Sequence, residues 1–179
     1  FDDAYPSHVG LGMPLLEARG FRGTFYLITD RLMRLGKYRY AETAPLVTWR
    51  TGARHGHELA SHTCSHQPLD SLSAIDVERE LRLSLDLLED LFPGLSVVSL
   101  AYPFSQADSQ TVAAARRFYR SGRLGPPPAG QDASNDPATA DLLALRSLNL
   151  CSGEAASMWG ERVTAAEAAG GWLIDRTSL

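Results

Sequence analysis

The chain has 179 residues, which is enough for one domain with a hydrophobic core and short for two. Hydrophobic residues make up 44% and charged residues 21%, as in ordinary soluble globular proteins. The net charge is −4, there is no uninterrupted basic run, and no apolar stretch approaches the roughly 20 residues of a membrane span. These features disfavour a nucleic-acid-binding protein and a membrane-spanning protein.

Helix and strand patterns alternate along the first half of the chain. Apolar residues at helical spacing predict a helix over 8–19, and a β-rich run predicts a buried strand over 24–28. Thr48 is a candidate N-cap for a short helix that ends near Gly56. Residues 58–61 are typical of a strand that runs into a polar loop.

The second half continues this alternation. Ser73 and Asp76 resemble a capping box that opens a helix to about Leu91. Further predicted elements are a strand over 97–101, a helix over 109–120, strand-like segments over 142–150 and 172–174, and a short helix over 163–169. The Pro- and Gly-rich stretch 122–137 is interpreted as a loop, because too little chain follows it for a second core.

The ends of the chain predict a fragment. There is no initiator methionine and no signal peptide, and the chain opens on Phe1 and closes at residues 176–179 directly after an apolar run. We therefore expect residues 1–179 to be a single domain that is truncated at both ends. The two cysteines, Cys64 and Cys151, are too few for a disulfide framework.

Repeated strand–loop–helix units predict an α/β fold in which a parallel sheet or barrel carries helices on its outside. In such folds the functional site lies at the carboxyl ends of the strands. Polar clusters occupy those places here, with Asp2 and Asp3 before the first helix, residues 62–66 after one strand and residues 102–106 after the next. The sequence therefore predicts one site assembled from these three segments.

Asp2 and Asp3 are adjacent carboxylates at a loop entrance. Neighbouring side chains of an extended segment point to opposite faces, yet both can reach one cavity from two directions. One carboxylate can then hold a metal ion while the other remains free as a base. A polar surface turn also explains such a pair, so the pair alone is a weak signal.

His62 and His66 are spaced i, i+4, which suits two metal ligands on one face of a helical turn. Two surface or capping histidines would show the same spacing. Cys64 lies between them and is a rival ligand if the segment is extended, whereas it points away if the segment is helical. A thiolate would favour a closed structural zinc site, whereas one aspartate and two histidines leave positions open for water and substrate. We favour Cys64 as a small packing residue.

The segment Tyr102-Pro103-Phe104 ends a predicted strand with a conformationally fixed proline. A backbone N–H just after such a turn can bind an oxyanion. A plain strand-ending turn is the simpler interpretation of the segment alone.

Taken in chain order, these motifs resemble those of the polysaccharide deacetylase family, also called NodB-homology domains or family 4 carbohydrate esterases. The family motif Thr-Phe-Asp-Asp-Gly is matched by residues 1–4, without the threonine and with alanine in place of glycine. The motif Ser-His-Thr-x-x-His-Pro is matched by residues 61–68, where Pro68 is displaced by one position. A Tyr-Pro-Phe motif is matched at 102–104, without the arginine that some members carry before it, and residues 170–174 resemble the segment that leads into the last motif.

This resemblance implies a distorted, incomplete (β/α) barrel of the NodB-homology type, with parallel strands and outer helices. It implies that Asp3, His62 and His66 bind a divalent metal, usually zinc and sometimes cobalt or nickel. Asp2 would be the general base, and the backbone N–H of Phe104 would help to bind the oxyanion. The implied activity is removal of N-acetyl or O-acetyl groups from a polysaccharide by attack of a metal-bound water.

The resemblance also concerns the substrate and the location of the protein. Tyr102, Pro103 and Trp172 are candidate substrate contacts, and the partner would be an acetylated polysaccharide or oligosaccharide. Family members usually act on extracellular or cell-envelope glycans, so export is expected although the chain carries no signal.

Three features depart from the family pattern. The family's general-acid histidine would lie near Thr177 or Ser178, where this chain has no histidine. The arginine that orients the catalytic aspartate has only Trp159 and Arg162 as loose candidates, and the first strand before Phe1 is missing. A catalytically impaired metal- or glycan-binding domain of the same fold is therefore the alternative function. A globule in which these side chains only cap turns is a third interpretation.

Overall fold

Four short parallel strands form the central sheet in the computed structural model of the chain, which describes residues 1–128, 131–150 and 156–177. The strands lie side by side in chain order, as β1 (Thr24–Leu27), β2 (Glu58–Ser61), β3 (Ser99–Ala101) and β4 (Ser121–Arg123). All three pairings are parallel, so the carboxyl ends of the strands meet at one edge of the sheet. A second pair of strands, β5 (Leu148–Asn149) and β6 (Asp175–Arg176), is also parallel.

The described residues include six α-helices, four of which lie between consecutive strands of the central sheet. They are α1 (Met13–Glu17), α2 (Thr29–Met33), α3 (Leu46–Arg54), α4 (Ala74–Leu91), α5 (Ser109–Ala115) and α6 (Ala156–Ala168), with a π-helical turn over His8–Gly12 before α1. Within the described part of the chain, no helix combines the length and apolar character that a membrane crossing requires.

Helix α4 forms where the capping signal predicts it. The Ser73 hydroxyl accepts a hydrogen bond from the Asp76 backbone N–H at 3.3 Å, which satisfies one free donor of the first turn. Val77, Leu81 and Leu88 then lie on one face and are buried in the core. Each such burial contributes roughly 1.5–3 kcal/mol of hydrophobic stabilisation, so packing rather than capping holds this helix against the sheet.

Backbone hydrogen bonds extend the sheet into a distorted, incomplete barrel, as the family resemblance implies. Beyond β4, the Leu145 N–H donates to the Gly122 carbonyl at 2.9 Å. Beyond β1, the Tyr26 N–H donates to the Phe1 carbonyl at 2.8 Å, and the Asp2 N–H donates to the Thr177 carbonyl at 3.0 Å. The segment at Phe1 and Asp2 therefore lies between β1 and the end of the described chain.

Two expectations for the first 130 residues are wrong in detail. Thr48 is not the cap of α3, because the helix begins at Leu46 after Pro45, and the Thr48 hydroxyl donates back to the Pro45 carbonyl at 2.7 Å. The loop expected from residue 122 begins later, because Ser121–Arg123 is strand β4. With only three residues, this strand is too short to show an alternating apolar pattern.

The C-terminal elements also differ from expectation. The strand signal over 142–150 corresponds to a single bridge at Leu145 and the two residues of β5, and the signal over 172–174 lies just before β6. The helix expected over 163–169 extends back to Ala156, whereas the one expected over 109–120 ends at Ala115. Cys151, Ser178, Leu179 and residues 129–130 of the predicted loop lie outside the described residues.

Candidate metal centre

Asp3, His62 and His66 converge at the carboxyl edge of the sheet. One ligand atom from each residue lies within 4.8 Å of the other two. The Asp3 Oδ1 is 3.6 Å from the Nε2 atom of each histidine, and the two imidazole centroids are 4.7 Å apart. A carboxylate and two imidazoles at such separations fit one divalent ion such as zinc, with coordination positions left over for water or substrate.

His62 is held by a hydrogen bond on the side of the ring opposite Asp3. Its Nδ1 lies 2.8 Å from the Ala101 carbonyl at the end of β3, so Nδ1 carries the proton and donates it. The lone pair of Nε2 is then directed towards Asp3, which is the tautomer a metal ligand needs. Burial lowers the pKa of His62 to about 4, so the ring is neutral at physiological pH.

The segment from His62 to His66 is a tight loop and not the helical turn that the i, i+4 spacing suggested. Thr63 has φ of 64° and His66 has φ of 55°. The Thr63 hydroxyl accepts a hydrogen bond from the His66 backbone N–H at 3.1 Å, which closes the loop. The two imidazoles therefore meet because the backbone turns through left-handed conformations, not because they share a helix face.

Left-handed backbone conformations cluster around this site. Among the described residues, seven other than glycine have positive φ, and all but Arg34 lie in the three loops of the site, namely Asp3, Ala4, Thr63, His66, Phe104 and Ser105. Each such conformation costs about 1–3 kcal/mol and persists only where the surrounding structure enforces it. This strain is concentrated where the candidate ligands are held.

Cys64 is not part of the cluster. Its Sγ lies 3.4 Å from the Asp30 carboxylate, the side chain is buried, and burial raises the pKa of the thiol to about 11. A thiol in that environment stays protonated and is a poor ligand. The geometry agrees with a packing role.

Asp2 occupies a separate, buried pocket beside the cluster. The Arg123 guanidinium donates to Asp2 Oδ1 at 2.5 Å, and Arg176 lies 3.6 Å from Oδ2. Burial by itself raises the pKa of Asp2, but the charge and the hydrogen bond of Arg123 help to outweigh this, so the pKa lies below its ordinary 3.8. Asp2 is therefore ionised at neutral pH while shielded from solvent.

Arg123 is the residue that sequence reasoning missed. Trp159 and Arg162 were the candidates for orienting Asp2, but they stack on each other, with the guanidinium 4.5 Å from the indole centroid. Arg123 is buried at the end of β4, 121 positions from Asp2. The one available signal was an arginine in a short apolar-flanked segment before the proline run, which is too common to identify it.

The segment after β3 brings Phe104 to the site. The Phe104 backbone is left-handed, and its ring, which is 57% exposed, lies with its centroid 4.8 Å from that of His66. Its backbone N–H follows directly on Pro103 at this edge. The third predicted segment thus meets the other two.

The three predicted substrate contacts are differently placed. Tyr102 is a core residue, because it is 1% exposed and its hydroxyl donates to the Leu143 carbonyl at 2.8 Å; this burial argues against a contact through the side chain, which stays a prediction. Pro103 is buried as well. Trp172 is half exposed and lines a cleft together with Phe1 and Arg123.

The end of the described chain lies beside Asp2. The Thr177 carbonyl accepts the Asp2 N–H at 3.0 Å, so the position where the resemblance expects an acid adjoins the proposed base. Ser178, the other residue named for that position, lies outside the described residues.

Comparisons with known proteins agree with this arrangement. A family model described as polysaccharide deacetylase matches residues 1–119. YxkH of Bacillus subtilis, which its name assigns to the polysaccharide deacetylases, is 26% identical over 161 residues, 89% of this chain and 53% of its own length. This chain thus spans about half of that curated relative.

Solved structures show the same fold. The deacetylase PplD of Streptococcus pyogenes, in complex with acetate, has a TM-score of 0.78 at 20% identity, covering 90% of this chain and 67% of its own. A polysaccharide deacetylase of Bacillus cereus has a TM-score of 0.72 at 20% identity, covering 91% of this chain and 49% of its own. Because the family model matches well over half of the residues, this chain belongs to the polysaccharide deacetylase family.

Proposed function

We propose that this protein is a metal-dependent hydrolase that removes N-acetyl or O-acetyl groups from a polysaccharide. The observation that carries the proposal is that a cluster of candidate metal ligands lies next to a buried, ion-paired carboxylate. Asp3, His62 and His66 offer ligand atoms within 4.8 Å of one another, and Asp2 lies next to them as a buried carboxylate paired with Arg123. Structural neighbours include proteins whose names describe them as deacetylases.

In this proposal Asp3, His62 and His66 hold a divalent ion, for which zinc suits the donor set and cobalt or nickel are alternatives. When bound, such an ion lowers the pKa of water and polarises an acetyl carbonyl. The Ala101 carbonyl keeps His62 in the ligand tautomer, and the Thr63 hydroxyl holds the loop that carries His66.

Asp2 acts as the general base in the proposed reaction. It is ionised at neutral pH, so it can accept the proton of the attacking water. Arg123 fixes one carboxylate oxygen, which orients the other and keeps the charge of the buried group balanced. Without this partner the carboxylate would be protonated or would draw in solvent.

The backbone N–H of Phe104 is proposed to stabilise the tetrahedral oxyanion. A fixed backbone donor needs no reorganisation as charge develops on the carbonyl oxygen. Phe104 adopts a left-handed φ of 55° directly after Pro103, in the segment that follows β3. The position of its aromatic ring against His66 supports the assignment.

A domain that only binds a metal or a glycan is the alternative. A buried and ion-paired aspartate beside the cluster favours the hydrolase, because glycan binding by itself does not require a shielded, ionised carboxylate. We propose acetylated extracellular or cell-envelope glycans as the substrate class.

Acetate release tests the proposal directly. Chitin oligomers, peptidoglycan and acetylxylan would be incubated with the zinc- or cobalt-loaded protein and with the protein after chelation. We expect release from at least one substrate, its loss on chelation and its recovery on addition of metal. The His66→Ala variant should lack it, whereas His55→Ala, which changes an exposed histidine outside the cluster, should retain it. A protein that binds zinc stoichiometrically and releases acetate from none of the three would refute the hydrolase.

A further inference from the structure

The segment between α2 and α3 carries an unusual concentration of cationic and aromatic side chains. Residues 34–40 contain Arg34, Lys37, Arg39, Tyr38 and Tyr40 and no acidic residue. Lys37 is the one lysine in the whole sequence. In a chain of net charge −4, this seven-residue segment is a local centre of positive charge.

This segment, which we call the basic rim (residues 34–40), is built from consecutive turns. Arg34 ends α2 in a left-handed conformation, and the Leu35 N–H donates to the Asp30 carbonyl at 2.8 Å. A single 3₁₀ turn over Gly36–Tyr38 follows, and the Ala41 N–H donates to the Tyr38 carbonyl at 2.9 Å. The backbone of the rim is therefore held by its own hydrogen bonds.

The basic rim adjoins the candidate metal centre. The Lys37 ammonium donates to the His66 carbonyl at 3.2 Å and lies 5.2 Å from the centroid of the Tyr38 ring. Burial and the nearby Asp3 carboxylate raise the pKa of Tyr38 to about 12. The ammonium of the rim thus lies against the loop that carries His66, with the Tyr38 ring beside it.

The charges of the rim are not neutralised by neighbouring carboxylates. In the described ranges, neither Lys37 nor Arg34 nor Arg39 forms an ion pair, and all three side chains are exposed. The acidic residues that flank the rim are Asp30, which contacts the Cys64 thiol, and Glu42. An exposed ammonium beside a reaction centre is available to a ligand.

We propose that Lys37 and the basic rim bind a carboxylate of the polysaccharide next to the acetylated sugar, so that this protein prefers an anionic glycan. The inference rests on the proposed hydrolase function. Lys37 supplies a point charge for the carboxylate, and Tyr38 supplies an apolar face and a hydroxyl for the sugar. Arg34 and Arg39 add to the positive electrostatic potential. The carboxylate can belong to a uronic acid or to the lactyl ether of a muramic acid.

Two matched substrate pairs test the preference and separate these sources. The uronic acid arm compares O-acetylated polygalacturonate with neutral acetylxylan, and the lactyl arm compares peptide-free peptidoglycan strands with neutral chitin oligomers. We expect kcat/KM for the anionic member of one pair to exceed that for the neutral member. The excess should shrink as NaCl is raised, because exposed charges are screened.

Variants of Lys37 connect the preference to the rim. The Lys37→Glu change should lower the anionic-to-neutral ratio of kcat/KM roughly tenfold, as reversal of one charge at a binding surface does. Lys37→Arg keeps the charge and should keep the ratio. Arg120→Glu makes the same change of charge just before β4, at the opposite edge of the sheet, and should leave the ratio as in the unmodified protein.

The outcomes separate this inference from the proposed function. Equal kcat/KM on both members of each pair, or an unchanged ratio in Lys37→Glu, overturns the inference while the hydrolase stands. If no substrate is turned over, the hydrolase fails, and binding decides the inference through electrophoresis in gels that contain polygalacturonate. Retardation by polygalacturonate of the unmodified protein but not of Lys37→Glu supports binding by the rim, and equal retardation of the two overturns it.

Discussion

The side chains of Asp2 and Asp3 face two regions of one site that are built in different ways. Asp3 joins His62 and His66 in what we call the histidine face, which is partly open to solvent. Asp2 joins Arg123 and Arg176 in what we call the arginine pocket, where the side chains of Asp2 and Arg123 are 5% and 2% exposed. One peptide bond separates a carboxylate suited to a metal from a carboxylate held by cations.

The two regions also draw on different parts of the chain. The ligands of the histidine face come from the first 66 residues, and β3 adds the Ala101 carbonyl that orients His62. The arginine pocket requires β4 and β6 to reach the N-terminal segment. The difference teaches that the conformations of the loops arrange the candidate ligands, whereas the extension of the sheet beyond β4 and β1 arranges the candidate base.

The largest expected effect comes from removing a ligand of the histidine face. His62→Ala should lower acetate release on the order of a thousandfold and abolish stoichiometric zinc uptake, because two remaining ligands hold zinc poorly. Zinc titration and acetate assays check this. His55→Ala, at an exposed histidine that contacts Glu17, is the control. Normal zinc uptake in His62→Ala would show that the face is not a metal site.

A second change breaks the arginine pocket alone. Arg123→Gln should leave zinc uptake intact, lower acetate release about a hundredfold and cost about 3–5 kcal/mol of unfolding free energy, because the buried Asp2 loses its hydrogen-bonded cation and keeps only the more distant Arg176. Chemical denaturation and zinc titration measure the two effects separately. The double change Asp2→Asn with Arg123→Gln should recover much of the stability without the activity. If Arg123→Gln loses zinc along with activity, the two regions do not act separately.

Acidification should separate the two regions by pH. Burial lowers the pKa of His62 to about 4, and it does the same for His8, whereas both titrate near 6.5 when unfolded. Between pH 6.5 and 4 the unfolded chain therefore binds more protons, so stability should fall as the pH falls. Asp2, with its pKa below 3.8, should lose its contribution only at more acidic pH.

Thermal unfolding of the metal-free protein from pH 7 to pH 3 measures this. His8→Gln should reduce the loss of melting temperature between pH 6.5 and 4, and the exposed His55→Gln should not. A melting temperature that is constant across that range would contradict the buried neutral state of these histidines.

The smallest effect concerns Tyr102, which links β3 to the C-terminal part of the chain. Tyr102→Phe removes the hydrogen bond to the Leu143 carbonyl and should cost about 1 kcal/mol of unfolding free energy. Since the side chain is buried, KM for an acetylated glycan should not change. A raised KM at unchanged stability would restore Tyr102 as a substrate contact.

Much of the fold was predictable because its signals are local. The α4 stripe and its Ser73 cap depend on residues within one helix, and the β1 and β2 runs are short but rich in β-forming residues. Strand β4 was not predicted, because three residues are too few to show a periodic pattern. Its pairing with β3 also joins residues that are 22 positions apart. Arg123 was missed with it.

The sequence alone determined which side chains could form a ligand set, because the ability of one aspartate and two histidines to bind a metal depends on their residue types and order. Only the tertiary structure decided how they meet, through left-handed loop conformations in place of a helix. It also decided the partner of Asp2, because a contact between residues 2 and 123 depends on the fold that brings β4 to the N-terminal segment and leaves no trace in local sequence. The physical reason is the separation of the interacting residues along the sequence. Local patterns report on short-range backbone preferences and burial, whereas an ion pair between distant segments forms only when the whole chain packs.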